Sequence, residues 1–120
     1  MSTIPPFGKE EIKAVQDTVN ERYKREVPVE EVTTELRLTP EDRELTECPG
    51  LYWQAGDCHF IITKTGAEEY HCQFFYSVRE QYGTGIPRYH DIVECVTTLL
   101  RVQADHERDR RMQQEGQSSG

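Results

Sequence analysis

The stretch that decides the fold is LYWQAGDCHFIITKTGAEEYHCQFFYS, Leu51 to Ser77. Tyr, Trp, Phe and Ile recur along it in period-2 alternation, the mark of strands with one buried face. Two turn signals divide it. Gly56-Asp57 fits a two-residue type II′ loop, which pairs Ala55 with Cys58 and Trp53 with Phe60. Lys64-Thr65-Gly66 fits a three-residue loop with Gly66 left-handed and a bulge. That second turn pairs Thr63 with Ala67, Phe60 with Tyr70, His59 with His71 and Cys58 with Cys72.

A meander in this register sorts its side chains cleanly. Leu51, Trp53, Cys58, Phe60, Ile62, Tyr70, Cys72, Phe74 and Tyr76 share one face; Tyr52, Gln54, His59, Ile61, Thr63, Glu69, His71, Gln73 and Phe75 share the other. The first set is the expected core. A slip by one residue mixes the sets and forfeits about 1.5–3 kcal/mol for each large side chain exposed.

Outward from the meander, Ile12, Val15, Val19 and Tyr23 recur at three and four residues and predict an amphipathic helix. Gly8 is its expected N-cap, Glu10 and Glu11 favour its dipole, Phe7 and Ile12 have staple spacing, and Pro28 closes it. Val32, Thr34, Leu36 and Leu38 alternate with Thr33, Glu35 and Arg37, which predicts a half-buried strand. Thr39-Pro40-Glu41-Asp42 reads as a short helical turn, and Cys48-Pro49-Gly50 as punctuation before the next strand. After Gly83-Thr84-Gly85-Ile86-Pro87, two stripes predict a second helix: Tyr89, Val93, Val96, Leu100 and Ile92, Cys95, Leu99, Val102. Pro87 suits its first turn. From Asp105 the pattern fails, so 1–104 is expected to be one domain and 105–120 a fraying helix end with a disordered tail.

The expected fold is therefore an α+β two-layer sandwich: three to four antiparallel strands with an N-terminal and a C-terminal helix on one face. The composition agrees, with 35% hydrophobic, 30% charged and 9% aromatic residues in 120.

Net charge is −8. That balance repels phosphate backbones and anionic lipid, so neither nucleic acid nor membrane is an expected partner. The acidic run Glu30, Glu31, Glu35, Glu41, Asp42, Glu44 and Glu47 keeps the chain soluble or steers a partner with a basic surface. The start lacks a basic n-region and an apolar h-region, which points to the cytoplasm and to reduced thiols at Cys48, Cys58, Cys72 and Cys95.

Four groups of residues are candidates for function. Cys58 and Cys72, placed as direct neighbours with Cα atoms about 4.5 Å apart, suit a disulfide, a soft metal or simple core packing. His59 and His71, with Asp57 and Glu69, suit a divalent metal, or an interface that histidine protonation would loosen. Strand alternation separates the thiols from the imidazoles, so Cys58 has no use of His59 and no nucleophilic set assembles. Gly83-Thr84-Gly85 lacks the lysine and further glycine of a phosphate loop. Tyr52, Ile61 and Phe75 place apolar surface on the outer face, and the last helix is apolar on two sides, with Ile92 and Leu99 on its second stripe. A lean core and these surfaces favour a homodimer over an enzyme; cofactors are not expected beyond that metal. The alternatives are a metal- or redox-responsive protein, and a small-molecule binder or enzyme with a pocket between sheet and helices near Trp53, Tyr70 and Tyr76.

Overall fold

The structure, a computed structural model, describes residues 4–37, 41 and 43–118. Leu38, and the turn read at Thr39-Pro40-Glu41-Asp42 apart from Glu41, lie outside them, as do residues 119 and 120. The chain runs α1 (Lys9–Tyr23), β1 (Glu30–Leu36), β2 (Thr46–Ala55), β3 (Cys58–Gly66), β4 (Glu69–Phe75), β5 (Gln81–Gly83) and α2 (Ile92–Ser118). The strands form one antiparallel sheet in the order β1-β2-β3-β4-β5. The α+β architecture is as expected; the sheet has five strands rather than three to four.

The first helix starts as its sequence implies. Gly8 is the N-cap, and the Glu11 carboxylate accepts from the Gly8 amide at 2.7 Å. Val15 and Val19 are fully buried and Phe7 and Ile12 join the same cluster. The helix ends before Pro28, at Lys24, which caps it in the left-handed region with φ 55°. Side chains of α1 then carry the chain onward: Gln16 and Asn20 satisfy the backbone at Val27 and Val29.

The Gly56-Asp57 turn gives the expected pairing, Ala55 with Cys58 and Trp53 with Phe60. Gly56 has φ +63°, which a two-residue loop of the primed kind demands. The second turn does not fall where its glycine suggested. β3 continues through Lys64 to Gly66, the chain reverses at Ala67-Glu68, and the register shifts between Lys64 and Gly66. Phe60 therefore pairs with Phe74, Ile62 with Cys72, Thr63 with His71 and Lys64 with Tyr70. The expected partners Phe60–Tyr70, His59–His71 and Cys58–Cys72 are each displaced by four residues. An even displacement keeps every side chain on its face, so the core set is nonetheless correct: Leu51, Trp53, Phe60, Ile62, Cys72 and Phe74 are all buried.

What favours the longer strand is Lys64. Its side chain points into the core face and is buried; its ammonium lies 2.8 Å from Glu11 Oε1 and 3.2 Å from the Pro6 carbonyl. Tyr70, the strand partner of Lys64, donates its hydroxyl to the other oxygen of Glu11. The network ties the start of α1 to the β3–β4 end of the sheet.

Three further boundaries differ. β2 begins at Thr46, so Cys48-Pro49-Gly50 lies inside a strand. Pro49 pairs with Thr33 and faces the edge strand β1, with no deep ladder to interrupt. Pro87 and Tyr89 precede α2: Asp91 caps that helix through the Glu94 amide, while Tyr89 forms a two-bond bridge with Tyr70. Finally, α2 remains helical to Ser118, past the expected fraying point. Arg108–Asp105 and Arg110–Glu107 pairs, and the Arg110 guanidinium 4.6 Å over the Tyr76 ring, support the stretch beyond Gln103.

Both helices cover the same sheet face. Cys95, Val96, Leu99 and Leu100 of α2 join Val15 and Val19 of α1 over the meander. No helix among the described residues covers the opposite sheet face.

Candidate functional site

The thiol and metal readings depended on the displaced register. Cys72 sits opposite Ile62, four residues from Cys58 along β3, a separation of about 13 Å at strand rise. A disulfide needs Cα atoms within about 7 Å, so Cys58 and Cys72 do not form one. Cys72 instead neighbours Cys95 of α2, and that contact, then burial, pushes the Cys95 thiol up. Burial pushes Cys58 to about 11 and raises Cys48 as well. Groups held this way are poor nucleophiles at neutral pH.

His59 and His71 are likewise four residues out of step: His59 lies opposite Phe75 and His71 opposite Thr63. His59 Nδ1 is engaged by the Tyr52 hydroxyl at 2.6 Å, and His71 Nδ1 lies 3.3 Å from the Pro87 carbonyl. Asp57 occupies the β2–β3 turn and Glu69 the opposite end of the sheet. Among the described residues no group of three or more His, Cys, Asp or Glu side chains is placed to hold a metal.

The pocket expected beneath the sheet is filled. Trp53 and Tyr70 are 1% and 4% exposed, and Tyr76 packs against the same cluster. Ile92 and Leu99, expected at an interface, pack into this core too, Leu99 at 0% exposure. Their stripe is the one α2 turns to the sheet; the exposed apolar residues described on that helix are Val93 and Met112.

The three other interface candidates do come together. Tyr52 lies directly opposite Ile61, and Phe75 opposite His59, all half-buried on the uncovered face. Their rings form a ladder across β2, β3 and β4: Tyr52 on His59 at 5.9 Å and His59 on Phe75 at 5.0 Å, both stacked. Beside the ladder, Val32, Thr34 and Ile61 close over Gly50. A Cβ at Gly50 would stand 2.9 Å from Thr34 Cγ2, 3.1 Å from Val32 Cγ2 and 3.3 Å from Ile61 Cδ1. The expected inward stripe of β1 thus belongs to the outer face, because β1 pairs Val32 with Gly50 and Thr34 with Cys48. Cys48 is 0% exposed there.

The central patch of the outer face is also free of formal charge. Val32, Thr34, Cys48, Gly50, Tyr52, Gln54, His59, Ile61, Thr63, His71, Gln73 and Phe75 include no Asp, Glu, Lys or Arg. The acids stand around it, with Glu30 and Glu69 at its rim.

Two inner networks escaped the sequence reading. Glu11, Lys64 and Tyr70 are described above; burial works to raise the Glu11 carboxyl, but bonds from Gly8, Lys64 and Tyr70 outweigh it and hold it below its ordinary value. At the other end of the sheet Tyr76 donates to Glu107, Gln103 donates to Tyr76 at 3.2 Å, and His106 packs against Phe74, Tyr76 and Tyr82. Both join residues more than 25 positions apart, which local periodicity does not register. No helix among the described residues is long and apolar enough to cross a membrane. No family model, curated protein or solved structure matches the chain.

Proposed function

We propose that this protein is a non-enzymatic interaction module that pairs with a second copy of itself through the outer sheet face. The single observation behind this reading is a half-buried, aromatic patch without formal charge at the centre of the outer face, on a chain of net charge −8. Two such chains repel through most of their surface; this face lets them meet without opposing like charges. Depletion of charge and enrichment of aromatics is the composition of interface centres. Edge-to-edge pairing is disfavoured, since the edge strand β1 carries Glu30, Glu31 and Glu35, and β5 is three residues long. The cytoplasm is the setting that suits four free cysteines.

A basic protein is the second partner this reading allows. Glu35 and Glu47 stand directly opposite each other on β1 and β2, both exposed, and like charges so placed are relieved by an incoming cation.

Light scattering across a concentration series tests the pairing. The expected result is a mass rising toward twice that of the chain; a constant monomer mass at millimolar concentration would contradict it.

A further inference from the structure

We infer that the outer face carries, at its β3–β4 turn end, a pocket for a small oxyanion that keeps an acidic O–H, of which hydrogen phosphate is the simplest example. Arg37 after β1, Thr65 on β3, Glu69 and His71 on β4 and Arg88 before α2 converge there around a cavity of about 210 Å³. Drug-sized pockets start near 300 Å³, so this one suits a ligand of a few heavy atoms.

The donor set is specific. Arg37 makes no ion pair with any other described residue. Among the described residues Arg88 makes its ion pair with Glu69, at 3.5 Å, with side-chain exposures of 55% and 30%. An exposed pair of that length is weak and exchanges readily for a better anion. Guanidinium forks match the oxygens of phosphate. His71 supplies the opposite polarity. Its Nδ1 faces the Pro87 carbonyl, which only accepts, so Nδ1 carries a proton, and in the neutral imidazole Nε2 is then the acceptor. An oxyanion that offers both bare oxygens and one O–H uses all three groups; sulfate does not. Two guanidiniums against one carboxylate leave the pocket lining net positive, and salt screens exposed acids lying further than about 8 Å from it. The inference is independent of self-association, which is measured separately by mass.

The test is titration of the isotope-labelled full chain at neutral pH, following the Thr65 and Glu69 amides and the His71 ring. Inorganic phosphate and bicarbonate, both protonated there, are run against sulfate. Saturable shifts confined to these residues, with sulfate at least about tenfold weaker, are expected. Saturation by phosphate or by bicarbonate supports the pocket, and the tighter of the two identifies the source. Arg37→Ala should weaken binding about tenfold, Glu69→Gln should tighten it by freeing Arg88, and His71→Ala should erase the preference over sulfate. Arg79→Ala, an exposed change in the turn after β4, should leave binding unaltered. Absence of a saturable shift, equal response to sulfate, or an Arg79→Ala loss matching that of Arg37→Ala would each overturn the inference.

Discussion

The Tyr52 hydroxyl and His59 Nδ1 share a hydrogen bond of 2.6 Å across β2 and β3, and the same imidazole stacks on Phe75 at 5.0 Å. Three rings from three strands are therefore held in one arrangement before any partner arrives. A surface fixed in advance loses little side-chain freedom on docking, where each mobile side chain would cost about 0.5–1.5 kcal/mol. Ile61 stands beside these rings, opposite Tyr52. Changing Ile61→Lys places an ammonium in the charge-free central patch of that face in both copies. Self-association should weaken by about a hundredfold or more, some 3 kcal/mol, while the melting temperature of the monomer changes little, since the lysine stem still covers Gly50. Sedimentation equilibrium and thermal unfolding at low concentration read the two effects apart.

Gly50 is a second sensitive position on this face. A methyl group there would meet Thr34 Cγ2 at 2.9 Å, and a β-branched side chain in a strand has little room to turn away. Gly50→Ala should cost about 1–3 kcal/mol of unfolding free energy in a denaturant titration. Gly83→Ala, where nothing lies within 4 Å, serves as the matched control and should be near neutral.

Glu11 links stability to pH. Its folded carboxyl is held below the ordinary 4.5, so its contribution is complete above that value and disappears as pH falls through the lower folded value. Glu11→Gln leaves the buried Lys64 without its counter-charge and should cost about 3 kcal/mol at neutral pH, the low end for a buried pair because Glu11 is 19% exposed. The gap between wild type and variant should shrink as pH drops below 4.5. A gap that stays constant from neutral to strongly acid pH would show that the pair contributes nothing through its charge.

The thiols should be inert in the folded protein. With Cys58 pushed up to about 11, its thiolate fraction at mildly alkaline pH is of order one in a thousand, and all four cysteines are buried. A thiol-reactive chromophore should label no cysteine rapidly under native conditions and four in denaturant. One rapid native equivalent would reopen the redox reading.

Alternation along residues 51–77 identified the core face correctly, because burial sorts strand residues by parity alone. Parity is blind to a displacement of four. The choice between Phe60–Tyr70 and Phe60–Phe74 was made by Lys64, whose buried stem and bond to Glu11 join positions 53 residues apart. A lysine before Thr-Gly reads locally as a turn, which ends β3 early and draws together the Cys58–Cys72 and His59–His71 pairs that the longer strand sets apart. The length of β2 is hidden for a similar reason: Pro49 and Gly50 are breakers by composition, yet the β2–β3 pairing begins only at Gly50, so Pro49 interrupts no ladder on that side, and Gly50 makes room for Thr34. The outer apolar residues Tyr52, Ile61 and Phe75 are legible because each pairs or flanks across the first, correctly placed turn, or keeps its face under the even shift. Ile92 and Leu99 belong to the core instead, because α2 turns their stripe, with Val96 and Leu100, to the sheet and α1 and leaves Val93 outside.

The most direct measurement is an isotope-filtered NOE experiment on a mixture of labelled and unlabelled chains. The account predicts intermolecular contacts from the Ile61 methyl groups to the Tyr52 and Phe75 rings. Contacts confined to the helices, or no intermolecular contacts in a sample shown to be dimeric, would contradict it.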